Sequence, residues 1–482
     1  TPLTDGASVV LLGSESWAAE HNLPVQAWLV DGEVAAVDYV HGDEGLLMAP
    51  AYAVPRLLER NGLTVLFHRD TQAPVFSYHT WFRVGSRHEK PGKTGLAHLF
   101  EHLMFNETEN LKAGEFDRKL EENGAESNAA TWVDWTFYHA SLPRERLGLV
   151  AKLESERMAR LVLREPQVAS EKDVVANERR QRVDDDIEGA ASEVLYKLAF
   201  KKHPYGWPTI GWMEDIQGFE PSDCEVFYRT YYSPNNATVV ICGDLRAQDV
   251  LSKLASHYGD IPRADIPAED YQPEPPQTEG RFEVLRKPTS SPKLLLGFKG
   301  PALGDPEHTA LTLLSEVLFG GRASRLHKLL VTEKECVSEL RGWVSTFRDP
   351  GLFDMMFSVR EGHTLEEVHA LVNAELERTK SDLVTAAELE RAKARLELGL
   401  LQTLDTANGR AEQIGFYETV LGDPAAPFRR LAAYRKTTPS DLRAAARRYL
   451  TTDACNVVHV ISPDDDDEDD TPSTLKQTGD AS

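Results

Sequence analysis

One apolar frame occurs twice in this 482-residue chain, and that repeat limits the fold more than any other feature. Leu96-Ala-His-Leu-Phe-Glu-His-Leu-Met-Phe105 and Ala310-Leu-Thr-Leu-Leu-Ser-Glu-Val-Leu-Phe319 match their apolar positions without a gap. Thr238-Val-Val-Ile answers to Asn456-Val-Val-His at a similar offset of about 215 residues. The flanking texture recurs as well. Leu63–His68 and Val75–Val84 alternate as strands do, with Asp70-Thr-Gln between them reading as the turn of a paired unit, and Phe282–Arg286 and Lys293–Lys299 read as a second such pair. Helices are expected over 145–162 and 169–183, and a strand at Ala237–Cys242 closes the first half. The economical fold is α+β: two homologous repeats, each an antiparallel-type mixed sheet flanked by helices, together forming half of a clamshell chamber.

The expected boundaries follow composition. Residues 1–55 form a small β-rich extension with short apolar runs at Val9–Leu12 and Ala27–Val30; 56–262 form the first repeat. The stretch 263–280 is read as a linker, because residues 260–280 carry prolines 262, 267, 273, 275 and 276 among acidic residues. Residues 281–462 form the second repeat. Seven acidic residues in a row, Asp464–Asp470, repel one another, so 463–482 is expected to be a disordered acidic tail. The formal charge of −24 argues against a nucleic-acid-binding face. Cys224, Cys242, Cys336 and Cys455 are too sparse for a disulfide framework, and no apolar run is long enough to span a bilayer. A chain starting at Thr1 rather than Met is expected to be processed or truncated; between a bacterial periplasm and the cytoplasm, the periplasm is the slightly favoured expectation.

Within the first copy of the frame lies His98-Leu-Phe-Glu101-His102. Residues four apart share a helix face, so both histidines can reach one metal ion, and Glu101 is close enough to act as a base on water without ligating. Two histidines four apart on an amphipathic helix are often plain packing, and His68, His79, His139 and His203 are read that way. A catalytic zinc site needs a third protein ligand and an open position. The helix Ser170-Glu-Lys-Asp-Val-Val-Ala-Asn-Glu-Arg179 offers Glu171 and Glu178, two turns apart on one face. In the second copy Thr312, Ser315 and Glu316 stand where His98, Glu101 and His102 stand in the first. One half keeps the chemistry; the other shapes a chamber or a contact surface.

The chain resembles the insulinase–pitrilysin family of zinc peptidases across most of residues 58–460. The likeness rests on the inverted motif and on Asn61-Gly-Leu-Thr-Val, Gly85-Ser-Arg-His-Glu89, Met104-Phe-Asn-Glu-Thr108, Asn128-Ala-Ala-Thr131, His203-Pro-Tyr-Gly206 and Tyr232-Ser-Pro-Asn235, in order and properly spaced. The resemblance implies one Zn2+ per chain held by His98, His102 and Glu178, with Glu101 as the catalytic base and Glu171 as the acid that orients a ligating histidine. It also implies that Glu126–Tyr138 is an edge strand to which a peptide adds, with Asn128 bonding the substrate backbone and Ala129 and Ala130 alongside it.

The pattern departs in the second repeat. Val331 and Ser338 stand where active single-chain and homodimeric relatives carry an Arg/Tyr pair facing the zinc, and Arg341 is out of register with it. The resemblance then implies a heterodimer rather than a homodimer, with a homologous zinc-less partner supplying that pair. The expected activity is zinc-dependent hydrolysis of short or unstructured peptides. The alternatives are a non-catalytic, core-protein-like subunit of a larger complex, and a metal-storage or metal-sensing role.

Overall fold

The computed structural model describes residues 61–463. The extension expected at 1–55 and nearly all of the acidic tail lie outside the described residues. The fold is α+β, built on two five-stranded mixed sheets, each flanked by helices. The first comprises β1 (Thr64–Arg69), β2 (Val75–Phe82), β3 (Glu126–Thr131), β4 (Thr136–Pro143) and β5 (Ala237–Gly243), in the order β1-β5-β2-β4-β3. The second comprises β6 (Arg281–Arg286), β7 (Lys293–Lys299), β8 (Val337–Val344), β9 (Leu352–Val359) and β10 (Asn456–Ile461), in the order β6-β10-β7-β9-β8. The two orders are the same topology written twice. In each, the last strand runs parallel to the first and antiparallel to the second.

That topology corrects the expectation of adjacent strand pairs. β1 and β2 do not touch through backbone hydrogen bonds, because β5 lies between them, as β10 lies between β6 and β7. Period-2 alternation fixes which face a strand buries; it says nothing about the neighbour. The segment Glu126–Tyr138 also differs from a single strand. It is a tight hairpin in which Trp132 N donates to Trp135 O at 2.8 Å. The reversal is drawn in by Asp134, whose buried carboxylate accepts from Arg87 at 2.9 Å and Tyr205 at 2.8 Å.

Each repeat lends a helix to the other. Helix Ile187–Ala199 lays Ala191, Leu195 and Leu198 on the second sheet against Leu295, Met356 and Val458. Helix Ala407–Leu421 does the reverse, bringing Ala411, Ile414 and Phe416 to Trp81, Phe137 and Val240 of the first sheet. His79, on that covered face, is buried and meets Asn408 Oδ1 at 2.9 Å, a packing role. Burial of apolar area at both exchanged helices makes the repeats one body.

Residues 262–280 contain no helix or strand, yet they are strapped down. Glu274 accepts from the backbone N–H groups of Lys201, Lys202 and His203 at 2.8 to 3.1 Å, and Tyr271 donates to Asp349 Oδ2 at 2.6 Å. The four cysteines are free and buried. Among the described residues no helix is long and apolar enough to cross a membrane.

Candidate metal centre

The motif helix Leu96–Leu103 begins at Gly95, whose φ of +95° and 2.5 Å approach of a hypothetical Cβ to Ile210 O admit only glycine. Its first N–H groups are not capped from the adjoining residue. Glu89 reaches over instead, accepting from Gly95 N and Ala97 N at 2.8 Å each, so a buried carboxylate satisfies orphan donors at the positive end of the helix. Leu96, Leu99, Phe100 and Leu103 then bury in the first core, and Tyr138 OH donates to Phe100 O at 2.8 Å. This fastening turns the opposite face, with His98 and His102, toward helix Glu165–Arg179.

There the side chains converge. The two imidazoles stand 5.1 Å apart between ring centroids, at 69° to one another. Glu178 Oε2 lies 3.6 Å from His98 Nε2 and 3.2 Å from His102 Nε2. One donor atom from each of the three lies within 4.8 Å of the others, and among the described residues no other trio of His, Cys, Asp or Glu converges so closely. Burial lowers His98 to about 4, keeping its ring neutral and its lone pair available. Burial works to lower His102 too, but the Glu178 carboxylate raises it; reciprocally, His102 holds Glu178 below the ordinary glutamate value. Among the described residues Glu178 Oε2 is buried with no donor besides the two imidazoles, and His98 Nδ1 is buried without a hydrogen bond. A divalent cation fits this donor set: two imidazole nitrogens and one carboxylate oxygen that meets no donor outside the trio.

Neighbouring groups hold the trio. Glu171 Oε2 is 3.9 Å from His102 Nδ1, and its Oε1 accepts from Asn106 Nδ2 at 2.8 Å. Arg182 Nε lies 2.9 Å from Glu178 Oε1. A cavity of about 420 Å³ opens beside the centre, walled by Glu101, His102, Glu171, Asp117, Asn128 and Ala129. Burial raises Glu101 above the ordinary carboxylate value. Among the described residues strand β3 is an edge of its sheet, with Asn128 exposed. Ala130 is turned away from the cavity and packs beside Trp81 and Phe137 instead.

Sequence reasoning passed over Asn106, Asp117 and Arg182. Asn106 stands within Met104-Phe-Asn-Glu-Thr108, a motif that could have pointed to it; Asp117 and Arg182 carry no local signal. In the second repeat, Ser338 Oγ donates to Ser358 O at 3.2 Å, Val331 packs on the second core, and Arg341 Nη1 lies 3.4 Å from Glu188 Oε2.

Comparison with known proteins finds two matching families along the chain. Residues 64–211 match the family described as Insulinase (Peptidase family M16), and residues 219–396 match the Peptidase M16 inactive domain. The chain is 33% identical over 354 residues to Zinc protease PqqE of Helicobacter pylori, covering 72% of this chain and 80% of that protein. It is 24% identical to the Uncharacterized zinc protease YmxG of Bacillus subtilis, over 77% of this chain and 89% of that one. A crystal structure of a protease from Helicobacter pylori superposes with a TM-score of 0.80 at 31% identity, covering 84% of this chain and 98% of that chain. A chain of complex III2 from Candida albicans shares the fold at a TM-score of 0.70 and 15% identity, over 83% of this chain and 94% of that one. A repeated fold with one His/His/Glu centre among the described residues, matched by these two families and by a relative 33% identical, places the chain in peptidase family M16, the insulinase family.

Proposed function

We propose that the chain is a zinc-dependent endopeptidase subunit acting on short or unstructured peptides. The observation that carries this reading is the convergence of His98, His102 and Glu178 beside a cavity walled by Glu101. Zinc held by those three side chains supplies Lewis acidity toward water and toward a peptide carbonyl. An extended substrate adds to β3 as a sixth strand, its backbone held along Asn128 and Ala129 and its reacting bond brought to the cavity. Glu101 takes a proton from the attacking water and returns it to the departing amine nitrogen. Its burial-raised pKa suits both transfers better than an ordinary glutamate would. Glu171 orients the His102 ring from its Nδ1 side.

Val331 and Ser338 offer no donor comparable to a guanidinium and a phenol, and the Ser338 hydroxyl is already committed to Ser358 O. A homologous zinc-less partner supplying an Arg/Tyr pair completes the chamber in this reading. A non-catalytic scaffold subunit is the alternative that Val331 and Ser338 favour, but a scaffold has no use for a metal trio with a base in register.

Glu101→Gln separates these readings. Elemental analysis is expected to show the same zinc content as wild type, while cleavage of an unstructured peptide falls by at least about a hundredfold. Near-wild-type cleavage by this variant removes Glu101 from the chemistry. Adding the zinc-less homologue to wild type is expected to raise the rate sharply; full activity of the chain alone rules out the need for a partner.

A further inference from the structure

Just beyond Glu178 the chain leaves regular α-helix. Arg180–Asp184 forms a wider π-helical turn, closed by Asp185 N onto Arg180 O at 2.7 Å, and leads into the acidic run Asp184-Asp185-Asp186-Ile-Glu188. Such a turn at a helix end leaves carbonyls in need of partners and concentrates negative partial charge. Three cations of the second sheet meet it. Lys287, one residue past β6, donates from Nζ to Val183 O at 3.2 Å and to Asp184 O. Lys293, the first residue of β7, lies 3.0 Å from Glu188 Oε1, and Arg341 of β8 lies 3.4 Å from Glu188 Oε2.

The turn reaches back to the metal glutamate through its own side chains. Arg182 Nε is 2.9 Å from Glu178 Oε1, which leaves Oε2 directed at the two histidines. Arg179 is buried and anchored on Glu193 at 2.8 Å and Gly211 O at 2.7 Å, so the helix cannot turn freely about its axis. The backbone from 180 to 184, whose last side chain also lies 3.4 Å from Arg179 at Asp184 Oδ1, sets where Arg182 stands. That is the backbone Lys287 grips.

We infer that Lys287 is a positioning residue for Glu178: the metal-free repeat fixes the carboxylate of the metal-binding repeat by holding the carbonyl end of its helix. The inference rests on the reading that His98, His102 and Glu178 bind zinc. Lys287 reaches the centre only through the turn and Arg182, so its removal acts on ligand orientation and not on ligand number. Without the ammonium, the carbonyls of Val183 and Asp184 turn to water, and the turn is free to relax toward α geometry.

The test uses the full chain stripped of metal and titrated with cobalt(II), whose visible bands report coordination geometry. Lys287→Met keeps the aliphatic stem and deletes the donors; Lys287→Arg restores a cation. The Met variant is expected to bind cobalt about tenfold or more weakly, with shifted bands, while its metal-free melting temperature stays at the wild-type value. The Arg variant is expected to recover most of the affinity. Wild-type affinity and bands in the Met variant overturn the inference, as does a loss of affinity matched by an equal loss of metal-free stability. If His98→Ala binds cobalt as wild type does, the metal centre itself has been misassigned, an outcome distinct from failure of the clamp.

Discussion

The motif helix of the first repeat and helix Pro306–Phe319 of the second hold equivalent places beside sheets of the same strand order, yet they treat their polar positions in opposite ways. In the first, His98 and His102 point across to Glu178, whose buried oxygen has no donor beyond those rings, and His98 Nδ1 is left without a hydrogen bond. In the second, each aligned position already has a partner, Ser315 Oγ reaching Gly342 O at 3.5 Å. Thr312 donates its hydroxyl to His308 O at 2.8 Å, one turn back on its own helix, and Glu316 pairs with Arg395. The apolar frame is indifferent to this difference: Leu311, Leu314 and Leu318 bury as completely as Leu99, Phe100 and Leu103. A site is therefore emptied by satisfying its polar groups and kept by leaving them unsatisfied, which is a stability cost only a ligand repays.

The largest effect expected from this contrast is in metal content. His102→Ala removes one of three ligands, and purified protein is expected to carry little zinc by elemental analysis. Glu316→Ala, at the aligned position, is expected to leave zinc content at the wild-type level. Metal loss from both variants would mean that the second repeat is part of the centre and that the contrast is false.

The exchanged helices allow a finer comparison. A Cβ at Gly415, on the helix lent to the first sheet, would stand 2.0 Å from Trp81 Nε1, and that indole is stacked on Phe137 with a centroid distance of 4.1 Å and cannot retreat. A Cβ at Gly297 would meet Leu195 Cδ1, on the helix lent to the second sheet, at 3.0 Å, and a leucine tip can give. Gly415→Ala is expected to destabilise by about 1–3 kcal/mol through overpacking, with Gly297→Ala costing clearly less. Chemical denaturation of both variants measures the difference. Equal losses would show that the two exchanges are packed alike.

Much of the site was legible because its signals are local. The four-residue spacing of His98 and His102 needs only helical period to be read, and two-turn spacing put Glu171 and Glu178 on one face. The repeat was visible because apolar frames persist when chemistry is lost. Sheet order was not legible: β5 separates β1 from β2 although it follows them by more than a hundred residues, and no alternation pattern encodes that neighbour. The same holds for Asp134, which reads as one polar residue in an aromatic strand until Arg87, from another loop, explains the reversal. The proline-rich stretch at 263–280 read only as a linker because its composition lacks a helix or strand pattern, whereas its anchoring by Glu274 and Tyr271 depends on partners distant in sequence. Lys287 escaped for the same reason.

The smallest expected effect concerns the junction that this strap covers. Arg87, from the first repeat, lies 2.9 Å from Asp134, 2.6 Å from Asp349 of the second repeat and 3.2 Å from Glu269 of the strap. Burial would raise Asp349, but contacts from His203, Tyr271 and Arg87 outweigh it and hold the carboxyl well below the usual carboxylate range. The His88 imidazole leads the groups that bring Glu269 to about 2, with burial opposing and Arg87 and Arg348 assisting. Carboxyls depressed in the folded state contribute stability that is fully present above their unfolded values, near 4, and is lost as pH falls through the folded values. Asp349→Asn removes one such contribution, so its melting temperature is expected to lie about 2–4 °C below wild type at pH 7. That gap should hold constant down to about pH 5, then narrow between about pH 4 and pH 2 as wild type loses the ion pair that the variant never had. A gap that stays constant to pH 2.5 would show that Asp349 acts at the junction by packing alone.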